Sequence, residues 1–395
     1  MKHQIVIVGS GTGGLSTAAR ILHDYPDRKW DIAIIDPSEK HYYQPLWTLV
    51  GAGVFPKEDS ERNQADFIPD GVKWIKQKVA TFQPDQNSVT LDNGAVVEYD
   101  YLVVAAGIQM DWHKIKGCEE TLGKNGVTSN YIYELSEYTW ENLRNLKSGN
   151  AVFTQPPMPI KCAGAPQKIV YMAEHYLAKN GLKDKVDITF CITGPGIFGV
   201  PKYKAALEKV LKRKNLEPKY EHELVEIRGE EKIAIFKKVG DGSLVEIKFD
   251  MLHVVPPMSA PDFIKKSPIA DQAGWVAVDM YTTQHVKYKN IFSCGDCSSM
   301  PTSRTGAAIR KQVPVLVKNL VSYMDGKELL AKYDGYASCP LVTGYGTCII
   351  AEFDYDGNVT ESFPFDQAQE RFSMYMLKAY VLPRLYWHGM LKGRA

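Results

Sequence analysis

Short, unbroken apolar runs recur along the chain, separated by stretches with helical spacing. The series is Ile5–Val8, Asp31–Ile35, Tyr101–Ala106, Asn150–Phe153, Val186–Ile192 and Ile291–Cys294. Runs this short, without polar alternation, predict strands buried on both faces. The Ala- and Leu-rich stretch from Gly13 to His23 predicts a helix between the first two strands, and Ile169–Ala178 and Tyr203–Leu216 predict two more. A βαβ rhythm of this kind implies a parallel sheet with helices on its faces, the α/β class. The texture changes between about 219 and 255, where Glu223–Ile227, Lys232–Phe236 and Leu244–Phe249 alternate like antiparallel strands. Residues 365–391 read as helical, interrupted at Pro383.

The first turn of this pattern carries chemistry. Strand 5–8 is followed by Gly9-Ser-Gly11-Thr-Gly-Gly14, then the helix, then a strand that ends in Asp36. Gly9 permits the tight turn, Gly11 lets backbone approach a pyrophosphate, and Gly14 lets helix and strand pack closely. The helix N-terminus offers free N–H groups to phosphate, and a carboxylate at Asp36 suits ribose hydroxyls. The loop alone is compatible with FAD or NAD. Ser293-Cys-Gly-Asp296 after the strand at 291 resembles the Gly-Asp of two-domain flavoprotein reductases. That Asp holds the ribityl chain of FAD ahead of a helix N-terminus, and Ala105-Ala-Gly107 resembles the crossover closing the same site. The resemblance implies FAD and a division into residues 1–110 with 275–330 (FAD-binding), 111–274 (a second Rossmann-like domain) and 331–395 (a C-terminal segment).

A second fingerprint, Gly194-Pro-Gly196-Ile-Phe-Gly199, follows strand 186–192. A nucleotide-binding unit needs a further strand ending in an acidic residue. Here the helix at 203–216 runs into Glu217-Pro and the alternating region, and Pro201 falls early in the helix. The expectation is a degenerate domain without nicotinamide.

Composition removes several function classes. With 47 basic and 46 acidic residues the net charge is +1, which gives no footprint for nucleic acid. Met1-Lys-His-Gln leads straight into the first strand, so neither a signal peptide nor an Arg-rich transit segment is expected. No run of about 18 apolar residues suggests a membrane-spanning helix. Seven cysteines in 395 residues are too few for a disulfide scaffold, and nine histidines show no metal-ligand spacing, so no metal is expected.

Two cysteines stand in unusual contexts. Cys162 lies in Ile160-Lys-Cys-Ala-Gly-Ala-Pro-Gln-Lys168 ahead of a helix, where Lys161, Lys168 and the helix N-terminus favour a thiolate. Cys339 lies in Tyr333–Gly344, read as a turn-rich loop. Spacing alone leaves open whether they meet. These segments resemble sulfide:quinone oxidoreductases of the mitochondrial and bacterial type, as do His41–Gly53, Met251–Met258, Gly274–Val278 and Phe363–Asp366. The resemblance implies that Cys162 and Cys339 form a redox disulfide. Sulfide attacks it, leaving a persulfide on Cys339. Cys162 is released as a thiolate that passes two electrons to FAD, a small nucleophilic sulfur acceptor removes the sulfur, and a membrane quinone reoxidises the flavin. It also implies FAD contacts from Thr12, Gly13, Gln44, Val79 and Gly306, with Tyr42 and Tyr43 along the flavin. No function is expected of Cys118, Cys191, Cys294, Cys297 or Cys348.

A quinone is lipid-soluble, so a membrane contact is required. The tail 372–394 combines Tyr, Trp, Leu and Met with Lys378, Arg384, Lys392 and Arg394, the composition of an interfacial helix pair. The expectation is a monotopic protein, with homo-oligomer formation left open, on the cytoplasmic face of a bacterial inner membrane, whose tail can be removed without loss of FAD. Two other readings are an NADH:quinone oxidoreductase and a non-catalytic flavin- or sulfur-binding protein.

Overall fold

The computed structural model describes all residues, 1–395. The first sheet is built on β1 (Lys2–Val8), β2 (Ile32–Ile35), β3 (Lys73–Ile75), β4 (Val79–Gln83), β5 (Ser88–Leu91) and β6 (Val96–Val104), ordered β3-β2-β1-β6-β5-β4. Ile5 to Val8 and Ile32 to Ile35 are all buried, because this strand pair is covered on both faces. α1 (Thr12–Asp24) lies between β1 and β2.

A second parallel sheet follows. It is made of β7 (Val127–Thr128), β8 (Gly149–Gln155), β9 (Val186–Ile192), β10 (Lys219–Tyr220) and, later in the chain, Met251–His253, which sits between β7 and β8. Its helices are α2 (Tyr133–Asn145), α3 (Ala165–Lys179) and α4 (Pro201–Lys214). The alternating region forms a three-stranded antiparallel sheet, β11 (His222–Arg228), β12 (Ile233–Lys238) and β13 (Leu244–Lys248). With Met251–His253 as β14, the chain returns to the first sheet as β15 (Ile291–Ser293), parallel to the end of β6. Then come α5 (Gly306–Met324) and the hairpin β16 (Ala337–Gly344) and β17 (Thr347–Phe353).

The tail departs from the helical span expected at 365–391. Helical structure begins at α6 (Phe372–Met376), widens into a π turn at Leu377–Val381 and resumes as α7 (Leu382–His388). Pro383 cannot donate to the carbonyl four residues earlier and its ring crowds that carbonyl, so the wider turn accommodates it. No helix is long and apolar enough to cross a membrane.

Candidate active site

The carboxyl ends of β1, β6 and β15 lie side by side, since Val8 and Ser293 both pair with Val104. The loops leaving these strands therefore converge. Gly9 has φ +98, and a Cβ there would lie 2.5 Å from the Ala105 carbonyl oxygen. A Cβ on Gly14 would lie 1.8 Å from the Gly9 oxygen. Gly13 packs on Cys294, whose Sγ is 3.1 Å from the Cβ position. Gly11, Gly107 and Gly306 instead face open space. Asp36 accepts the Ser10 N–H at 2.7 Å and the Ser38 N–H at 2.8 Å, which fixes its carboxylate beside the loop. Asp296 follows β15; burial pushes its carboxyl up, while Arg304 and Lys161 pull it down. Arg304 Nε donates to its backbone carbonyl at 2.9 Å, and no protein group donates to its carboxyl oxygens. Gln44 accepts from Lys161 Nζ at 2.7 Å, and Val79 opens β4 within the core shared with Val8, Ile35 and Ile75. A glycine cradle with one open side, a helix N-terminus and a carboxylate without a protein donor fit a dinucleotide carrying a polyol chain, as FAD does.

Cys162 and Cys339 are 177 residues apart in sequence, and their Sγ atoms are 3.5 Å apart. Cys162 precedes α3 with φ +52, a left-handed conformation that costs a non-glycine residue energy. Its N–H donates to the Arg304 carbonyl at 2.9 Å, and its own carbonyl accepts from Ala165 at 2.7 Å. Cys339 stands within strand β16, paired with Ala351, not in the loop expected from its Pro and Gly neighbours. Gly164 explains how helix and strand approach, because a Cβ there would be 2.5 Å from Cys339 Sγ.

The two thiols are electrostatically unlike. The bond from Cys339 holds Cys162 well below the usual thiol range; burial opposes this, and Lys168 and Lys378 reinforce it. Lys168 Nζ lies 3.3 Å from Cys162 Sγ. Cys339 is pushed well up by the same bond, by burial and by the charge on Cys162.

Lys378 was read from sequence as an interfacial cation. It is in fact 2% exposed, donates to the Pro45 carbonyl at 2.8 Å, and is pulled down to about 7 by burial and by Lys168. Its spacing carried the signal: Met374, Tyr375, Lys378 and Ala379 form the buried stripe of the tail, while Phe372, Met376 and Tyr380 form the exposed one.

The remaining cysteines are buried free thiols. Burial pushes Cys118, Cys191, Cys294 and Cys348 up to about 12, and it pushes Cys297 up as well. They behave as small apolar side chains.

The second fingerprint needs a correction. The strand that the sequence did not reveal exists as β10, only two residues long, parallel to Cys191–Ile192 and followed by the exposed Glu221. The unit is thus topologically complete. Carboxylates stand beside the start of α4: Lys202 pairs with Glu361 at 2.7 Å and Asp366 at 3.0 Å, and Tyr203 donates to Glu361 at 3.2 Å, while Gly194 and Gly199 face open space.

The tail folds back on the first domain. Tyr386 OH is 2.9 Å from Thr12 Oγ1 and 2.5 Å from His41 Nε2, and Trp387 packs on Phe67 with ring centroids 5.1 Å apart. A Cβ on Gly393 would lie 2.6 Å from the Ala19 oxygen in α1. The tail is therefore part of the dinucleotide domain's packing, and the expectation that it can be removed without loss of FAD has these contacts to set against it.

Fold and site together define a flavin-dependent disulfide oxidoreductase, and the family model described as pyridine nucleotide-disulphide oxidoreductase matches residues 3–152. The mitochondrial sulfide:quinone oxidoreductase of Dictyostelium discoideum is 51% identical, over 99% of this chain and 86% of the relative. That of Mus musculus is 45% identical, over 99% and 87%. The chain belongs to the sulfide:quinone oxidoreductase family. The X-ray structure of the enzyme from Aquifex aeolicus has the same fold, with TM-score 0.82 and 21% identity over 99% of this chain and 92% of that one. Both close relatives are mitochondrial, which overturns the expected placement on the cytoplasmic face of a bacterial inner membrane.

Proposed function

We propose that this protein oxidises sulfide at the Cys162–Cys339 pair and delivers two electrons, through FAD, to a quinone. The observation that carries the reading is the pair itself: two thiols brought to 3.5 Å by different elements, with Lys168 on only one of them. That asymmetry sets the direction of attack. In thiol–disulfide exchange the thiol of lower pKa leaves faster. Hydrosulfide therefore attacks the Cys339 sulfur and expels Cys162 as a thiolate held by Lys168. The incoming sulfur is left on Cys339, from which a small nucleophile removes it. FAD, when bound, supplies the two-electron acceptor. Gly9, Gly11, Thr12, Gly13, Gly14 and Asp36 would hold its adenosine and pyrophosphate half. Gln44, Val79, Gly107, Asp296 and Gly306 would line the remainder.

The division at about 110, 274 and 330 follows from the same assignment, with nicotinamide excluded from the middle unit. Glu361 and Asp366 stand where a pyrophosphate would meet α4, and their charge opposes it. The quinone is reached at a membrane surface through the exposed stripe Phe372, Met376, Tyr380 and Val381.

The test is anaerobic quinone reduction by the FAD-loaded protein. Sulfide should drive it and NADH should not. Reduction by NADH with none by sulfide would support the NADH:quinone reading instead.

A further inference from the structure

The glycine turn is held by a ring of hydrogen bonds that passes through the tail. Gln64 Nε2 donates to the Ser10 carbonyl at 3.0 Å, and Gln64 Oε1 lies 3.0 Å from His41 Nδ1. His41 Nε2 lies 2.5 Å from the Tyr386 hydroxyl, which lies 2.9 Å from Thr12 Oγ1. Chemistry fixes the direction of each bond. A carbonyl only accepts, so Gln64 turns its amino group to Ser10 and its amide oxygen to His41. That oxygen also only accepts, so the hydrogen of His41 sits on Nδ1. Burial pulls His41 down, which keeps it neutral and leaves Nε2 bare. Tyr386 therefore donates to Nε2, and its oxygen accepts from Thr12. Gln64, His41 and Tyr386 are all buried, and the rings of Tyr43, Phe67 and Trp387 pack around them. Ser10 and Thr12 flank Gly11, which faces open space in the cradle. The ring thus pins the turn on both sides of that opening, while Asp36 holds the Ser10 N–H.

We propose that this ring couples docking of the tail to the grip on FAD, with Tyr386 and His41 as positioning residues of the glycine turn. The proposal rests on the assignment of that turn to the FAD pyrophosphate and is independent of the thiol chemistry. A buried network whose members are all satisfied makes what it holds rigid. The docked tail therefore sets the turn in the shape a dinucleotide needs, which removes an ordering cost from binding. Undocking withdraws the Tyr386 hydroxyl and leaves His41 Nε2 and Thr12 Oγ1 without their partner. The turn then moves more freely and holds the dinucleotide less tightly. Linkage makes the effect reciprocal, so bound FAD holds the tail down by the same factor.

The test uses the full-length, FAD-loaded protein, and each variant is read at the far end of the ring. Tyr386→Phe removes only a hydroxyl from the tail. FAD release, followed by the fluorescence of the freed flavin, should quicken about fivefold, the factor that one neutral hydrogen bond carries. Thr12→Val removes only a hydroxyl from the turn. Tryptic cleavage at the exposed Arg384, which requires α7 to open, should quicken by about the same factor. In the double variant each rate should rise by less than the product of the single effects, because both substitutions remove one shared bond. A far-end rate unchanged in either single variant would overturn the proposal, as would effects that multiply in the double variant. If Tyr386→Phe does not fold, the cleavage rate of Thr12→Val decides alone. Gly11→Val, whose side chain would enter the open cradle, should not retain FAD. Retention there would instead overturn the assignment of the turn on which the proposal rests.

Discussion

Cys162 owes its ionisation to neighbours drawn from three elements: Cys339 from β16, Lys168 from α3 and Lys378 from the tail. Lys168 is the one whose Nζ lies 3.3 Å from the sulfur. Its charge holds the thiol low, so Lys168→Met should raise it. The acid limb of sulfide-driven flavin reduction then moves to higher pH by about one to three units, the usual effect of one close opposite charge. A stopped-flow pH profile checks this, and an unmoved limb contradicts it. Gly164 acts by size. Gly164→Ala places a methyl 2.5 Å from Cys339 Sγ. FAD should stay bound while sulfide-driven reduction falls by about 100-fold, the cost of misplacing a reacting atom. At this scale the glycine turn after β1 and the carboxylate of Asp36 beside it were legible, because strand, turn and helix N-terminus form a local pattern. The sequence disclosed the cysteine pairing only through resemblance, since the two thiols meet by tertiary folding. It misplaced Lys378, whose composition suits a membrane surface but whose helical stripe is the buried one.

The elements show a similar division. Central strands such as β1 and β2 are legible as continuous apolar runs because they are covered on both faces. β10 is not, for two residues carry no period, and its existence follows only from its pairing with Cys191 and Ile192. Cys339 looked like a loop residue because Pro340 and Gly344 frame it, yet β16 tolerates both beside its single partner β17. The tail is the element with the largest consequence. Tyr386, Trp387 and the close approach of Gly393 to α1 tie it to the nucleotide loop. Truncation after Val381 should lower the melting temperature and the FAD content of the purified protein together. An absorbance ratio of flavin to protein equal to that of the full chain would contradict this.

On the scale of the whole molecule, two sheets bring a dinucleotide loop, a thiol pair and an apolar surface stripe into one chain. Phe372, Met376, Tyr380 and Val381 are the exposed apolar side chains of the tail, Tyr380 also resting edge-on against Phe55. Replacing Phe372 and Val381 by glutamate should therefore abolish sedimentation with lipid vesicles while leaving FAD content and melting temperature unchanged. Undiminished vesicle binding would remove the tail from the account. The central claim concerns the thiols, and anaerobic flavin bleaching by sulfide tests it most directly. The wild-type protein should bleach on sulfide addition, and both Cys162→Ser and Cys339→Ser, though FAD-loaded, should remain yellow. Bleaching that survives in both variants would show that electrons reach the flavin without the Cys162–Cys339 pair, and would contradict the account.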